Sequence, residues 1–151
     1  MAVNLINPFI ASVNSIMPQL GFSCIQHDEP RVLSNKVTDT GVIVVVGIVG
    51  DIKGNVAYKM DFEGARRIAS IMMMYDVLEL DDMAQSALSE MTNMLTASAV
   101  TEFSKSGIKA DISTPTMLQG NSITLKMGTD NVLRIQFTLD NVLLDISISL
   151  E

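Results

Sequence analysis

Residues 81–106, DDMAQSALSEMTNMLTASAVTEFSKS, organise the reading of the whole chain. The pattern predicts one long helix. Asp81 and Asp82 stand where an N-cap and a first turn favour negative charge, and Gly107 follows where a helix end favours a left-handed residue. Advancing about 100° per residue gathers Ala84, Ala87, Leu88, Met91, Met94 and Leu95 on one face. Ser86, Glu90, Asn93 and Ala97 gather on the opposite face. Glu102 falls on the apolar side of this wheel, which implies a bend or an end that overhangs its neighbours. Residues three apart are neighbours on a helix surface, so Glu90 and Asn93 can present a carboxylate and a carboxamide to one partner. Solvation alone also accounts for a polar face opposite an apolar one.

Working outward, the C-terminal third alternates with period two. Ile123, Leu125 and Met127 alternate with Ser122, Thr124 and Lys126; Leu133, Ile135, Phe137 and Leu139 with Arg134, Gln136 and Thr138. Val142, Leu144, Ile146, Ile148 and Leu150 alternate mainly with Asp145, Ser147 and Ser149. Three antiparallel strands are expected, turning at 128–131 and at Asp140-Asn141, with helices on one face and a largely polar face outward. On the N-terminal side of the long helix, Val42 to Val49 is apolar on both alternations and predicts a strand covered on both faces. Gly50 to Gly54 turns it into a second arm, 55–60. Lys53 beside Gly54 lacks the Gly-Lys-Ser/Thr ending of a phosphate loop, and turn chemistry explains the glycines. Asp61 is expected to cap a second helix, from Phe62 to about Tyr75, with Met72, Met73 and Met74 as adaptable core filler.

Near the N-terminus, Asn7-Pro8 predicts a helix start with Asn7 as the cap; Pro18 ends or kinks this helix, and Gly21 follows. Phe22 to Gln26 predicts a strand; the polar segment 28–39 carries no decisive pattern and leaves a short strand around Arg31 to Leu33 as one option. Ile108 to Ser113 predicts another strand, followed by a Thr114-Pro115 loop. A weak repeat emerges: helix, glycine, strand, proline and hairpin occur in both halves, which places Asn14 opposite Asn93 and Ala11 opposite Glu90. The expected fold class is α+β, a largely antiparallel sheet with long helices packed on one face, built as a single domain over residues 1–151.

Composition excludes several functions. A net charge of −7 argues against nucleic-acid binding, which needs a basic patch, and the chain has no Trp as a stacking platform. Hydrophobic residues make up 48% of the chain, too many for disorder. The lone Cys24, in an apolar stretch, is expected to be buried and forms no disulfide framework. No apolar run reaches the length of a membrane span and no leader pattern is visible, so the expected location is cytoplasmic. The one histidine, His27, lies in no nucleophile motif, and no zinc spacing is present. Helix capping explains Asp81 and Asp82 better than a metal does.

Ser86-x-x-x-Glu90-x-x-Asn93, with Pro115 beyond the helix, resembles the signature of the CheC/CheX/FliY chemotaxis phosphatases. The segment GVIVVVGIVGDIKGNVAYKMDFEGARRIAS and the opening NLINPFI resemble the CheX members in particular. The resemblance implies a CheC-like fold and a phosphatase whose substrate is another protein, a phosphorylated CheY-type response regulator. That partner would supply the Mg²⁺, the phospho-aspartate and a lysine; no metal or cofactor would belong to this chain. Asn93 would orient the attacking water and Glu90 would pair with the lysine, making these two the catalytic residues. Ser86 and Ala97 would contact the substrate protein, and the assembly would be a homodimer. The rival expectation is a domain of this fold that binds a response regulator, or only dimerises, without hydrolysis.

Overall fold

The computed structural model describes residues 4–151. The first helix, α1 (Asn7–Gln19), leads to two short strands, β1 (Ile25–His27) and β2 (Arg31–Leu33). The hairpin of β3 (Lys36–Gly50) and β4 (Gly54–Met60) follows, then α2 (Phe62–Met73) and α3 (Asp82–Ser104). The chain closes with β5 (Ala110–Ile112), β6 (Thr116–Lys126), β7 (Val132–Leu139) and β8 (Val142–Leu150). All strand pairings are antiparallel, in the order β1-β7-β8-β4-β3-β5, with β2 also on β7 and β6 also on β3.

This order reads the same from both ends once the halves are exchanged. The β3–β4 hairpin answers to β7–β8, the β1/β2 edge to the β5/β6 edge, and α1 to α3, with α2 inserted between. The expected repeat is therefore a two-fold arrangement in which each half supplies the edge strands of the other. Helices α1 and α3 pack antiparallel: Phe9 meets Phe103 edge-on, with ring centroids 6.1 Å apart, and the Ser12 hydroxyl donates to the Leu95 carbonyl.

One face of the sheet meets the helices. Val42, Val44, Val46 and Ile48 of β3 join Val56 and Tyr58 of β4, Ile135 and Phe137 of β7, and Leu144, Ile146 and Ile148 of β8 in the main core. Phe9, Val13 and Met17 of α1 and Leu88, Met91 and Leu95 of α3 close it. Burying a side chain of this size contributes roughly 1.5–3 kcal/mol, so this cluster is the main source of stability.

Several expectations change. Strand β6 does not pair with β7; it runs along β3 from Lys36↔Lys126 to Val45↔Thr116, so 128–131 is a crossing rather than a hairpin turn. The second face is not simply polar and outward. Val37, Ile43, Ala57, Met127 and Val132 form a smaller core there as the sheet curls. Asp145, Ser147 and Ser149 are buried beneath it, Asp145 held by Arg134, Gln136 (3.1 Å) and more distantly Lys59 (3.8 Å).

Cys24 is exposed, not buried, because the strand starts only at Ile25. The cap of α1 comes from Asn4, whose Oδ1 accepts from the Ile6 and Asn7 amides, and not from Asn7. Met74 is 90% exposed, because it takes the left-handed position that ends α2. Val49, at the end of β3, is likewise exposed. Glu102, half-buried, pairs with Lys105 at 2.8 Å instead of entering the core.

Candidate active site

Helix α3 carries the site, and its placement follows from its own sequence. Asp81 caps it, Oδ1 accepting from the Ala84 amide at 2.9 Å, and Asp82 adds charge to the first turn. Ala84, Leu88, Met91 and Leu95 turn inward, as the periodicity requires. Thr92 and Thr96 are also fully buried, which a simple wheel of apolar residues does not reveal. Thr96 Oγ1 donates to the Thr92 carbonyl at 2.7 Å and meets the Tyr58 hydroxyl at 2.7 Å. Burial raises the Tyr58 pKa well above that of an ordinary phenol, so the group remains a donor.

The outward side of α3 borders a cleft of about 520 Å³ lined by Asp82, Gln85, Ser86, Ser89, Glu90 and Asn93. The opposite wall is Thr114, Pro115 and Met117, from the loop between β5 and β6 and the start of β6. Hydrogen bonds to β3 fix that wall. The Ser113 amide donates to the Gly47 carbonyl at 2.9 Å, and the Gly47 amide donates to Ser113 Oγ at 2.8 Å. A Cβ on Gly47 would lie 3.0 Å from Ser113 Oγ, so the close fit of loop against strand uses the missing side chain.

Ser86, Glu90 and Asn93 thus share one open cleft, with Pro115 across from them. Ala97 lies on the same exposed stripe but outside the cleft lining. Glu90 is exposed and Asn93 half-buried; neither side chain is hydrogen-bonded or ion-paired to any described residue. Gln85, by contrast, is tied back to the Leu80 carbonyl at 2.8 Å. The lining holds two carboxylates, Asp82 and Glu90, and no basic side chain. Its chemistry suits a partner that brings positive charge, and a carboxamide left free can both donate to and accept from water. Ser89 and Gln85 were not singled out in the sequence, although their spacing of four and eight residues before Asn93 is the signal that places them beside it. Thr114 and Met117 carried no such signal, since the pairing of both β5 and β6 with β3 brings them to the helix.

The family model described as "Chemotaxis phosphatase CheX" matches residues 42–138, which includes β3 from Val42 onward, β4, α2 and all of α3. The chain belongs to the CheX family. It is 29% identical over 128 residues to the CheY-P phosphatase CheX of Thermotoga maritima, covering 83% of this chain and 82% of that one. The fold matches a CheX from Desulfovibrio desulfuricans with a TM-score of 0.87 at 23% identity, over 99% of this chain and 100% of that one. A CheX–CheY–BeF3–Mg²⁺ complex from Borrelia burgdorferi matches with a TM-score of 0.83 at 25% identity, over 99% of each chain. Among the described residues no helix is long and apolar enough to cross a membrane.

Proposed function

We propose that this CheX-family protein hydrolyses the phospho-aspartate of a CheY-type response regulator. Asn93 orients the attacking water, and Glu90 pairs with a lysine of the regulator. The observation that carries this reading is the placement of Glu90 and Asn93, side chains unengaged, on one open cleft. Family membership and the CheY named in the Borrelia complex support the choice of substrate.

The reaction needs little from this chain beyond geometry. The water oxygen attacks phosphorus in line with the acyl P–O bond. That bond breaks, the electron pair returns to the regulator's carboxylate, and inorganic phosphate leaves. In phosphoryl transfer, positioning and electrostatics supply most of the catalysis. The Asn93 carboxamide accepts a hydrogen bond from the water or donates one to it and does not titrate. The Glu90 carboxylate and the regulator's lysine set the docking register, since a charge pair across an interface gives specificity as much as affinity. The Mg²⁺ is read as the regulator's own. Ser86, one turn before Glu90, and Ala97, one turn beyond Asn93, extend the docking stripe, Ala97 by letting a partner backbone come close.

We read the working form as a cytoplasmic homodimer. Strand β6 pairs with β3 on one side and with no described strand on the other, leaving an edge that a second copy can use. Light scattering that returned a monomer mass at micromolar concentrations would reject the dimer. The function is tested by the lifetime of the phosphorylated regulator with and without the protein. Shortening at catalytic amounts is expected; binding with no shortening would make the domain a docking module.

A further inference from the structure

The turn of α3 that bears Asn93 is held from two sides by hydroxyl groups. On one side, Ser12 of α1 reaches the Leu95 carbonyl. On the other, Tyr58 of β4, fully buried and among the largest side chains in the core, reaches Thr96 Oγ1 at 2.7 Å. The single Thr96 hydroxyl proton goes to the Thr92 carbonyl, so the Tyr58 hydroxyl must be the donor to Thr96. That carbonyl belongs to the peptide unit joining Thr92 to Asn93. Thr92 Oγ1 in turn donates to the carbonyl of Ser89, a cleft residue, at 2.9 Å. A line of hydroxyls therefore runs from the middle of the sheet through the helix to the backbone directly under the site.

We propose that Tyr58 and Thr96 are positioning residues for the hydrolytic reaction: their buried hydrogen bond sets the roll of α3 about its axis and so the aim of Asn93. The inference rests on Asn93 orienting the water. Apolar packing constrains the roll of this helix only through many individually weak contacts. Its inward face sets Leu88, Met91, Leu95 and Phe103 beside small Ala84 and Ala99, and the energy of such contacts changes gradually over a few degrees of roll. A hydrogen bond between two fully buried groups does not tolerate that, because an unpaired donor in a dry core is costly. The lever is favourable. An α-helix with its side chains is about 10–12 Å across, so a roll of about 10° moves a surface amide by about 1 Å. A misplacement of about 1 Å costs on the order of 10²-fold in rate where orientation supplies the catalysis.

The test compares Tyr58→Phe, Thr96→Val and Thr96→Ser in single-turnover decay of the phosphorylated regulator at saturating protein. Affinity for the beryllofluoride form of the regulator is measured alongside. Tyr58→Phe and Thr96→Val should each slow decay roughly 10-fold, part of the full misplacement cost, while affinity stays within about twofold. Thr96→Ser, which keeps the hydroxyl, should decay the phosphoryl group at the wild-type rate. In an Asn93→Ala background, Tyr58→Phe should cost nothing further, since there is no amide left to aim. Amide NMR spectra report whether each variant is folded, and Thr96→Val, nearly isosteric, carries the test if Tyr58→Phe is not. Wild-type decay in folded Tyr58→Phe and Thr96→Val would overturn the inference alone. So would an undiminished loss in the Asn93→Ala background, which is the mark of a general structural effect. A wild-type protein that does not hasten decay would overturn the phosphatase function first and this inference with it.

Discussion

Replacing Asn93 by Ala removes a half-buried carboxamide that makes no hydrogen bond to any described residue, so nothing inside the protein loses a partner. No core cavity opens, because the side chain borders the cleft rather than the packed face of α3. Helix propensity favours the change by up to about 0.7 kcal/mol, since Ala is the better interior residue. For a chain of this size about 1 kcal/mol moves the melting temperature by roughly 2–4 °C, so the variant should melt at the wild-type temperature or up to about 3 °C above it. Catalysis should move the other way. Loss of one preorganised hydrogen-bonding group in a transition state costs on the order of 10²-fold or more, about 2.7 kcal/mol of barrier. The assay is single-turnover decay of the phosphorylated regulator at saturating and subsaturating variant, with a melt run in parallel. The rate at saturation should fall while half-saturation shifts little. Decay as fast as wild type at saturation would refute the assignment of the water to Asn93, and a large fall in melting temperature would refute the structural argument.

Glu90→Ala should also lose activity, with the larger share in binding: a charge-assisted contact is worth about 1.5–3 kcal/mol, or roughly 10- to 100-fold in affinity, read by titration with the beryllofluoride regulator. Ser86→Ala should be milder in the same titration. Gly47→Val should push Ser113 out of its two bonds to β3 and shift the Thr114–Pro115 wall, raising half-saturation and costing about 1–3 kcal/mol of stability by overpacking. Asp145→Asn should lower the melting temperature by roughly 6–12 °C, from about 3 kcal/mol lost when the Arg134 guanidinium loses its buried carboxylate. Because Asp145 lies on the sheet face away from α3, its variant should keep the wild-type rate at saturation, measured below the melt.

The helix of 81–106 and the stripe of Ser86, Glu90 and Asn93 were readable from the sequence because a helix is a local object. Its period is written into consecutive residues, and a polar stripe survives any small error at the ends. The β7–β8 hairpin was legible for the same reason: two alternating runs meet at Asp140-Asn141, where φ is 48° and 74°, a turn these two residue types tolerate. Alternation, however, says which faces a strand has and nothing about which strand lies beside it. That Thr116–Lys126 would run along β3 instead of folding onto β7 was decided only by the closure of the sheet, and with it the cleft wall of Thr114, Pro115 and Met117. Burial of Asp145, Thr92 and Thr96 was hidden for a related reason. A polar residue is placed inside when a partner waits there, and Arg134 and Tyr58 come from other elements of the chain. Cys24 was misplaced in the opposite sense: an apolar neighbourhood in sequence implied burial, but strand β1 begins one residue later and leaves it exposed. The chemistry of the site was thus written along one helix, while its enclosure and its aim depend on contacts across the sheet that no local pattern encodes.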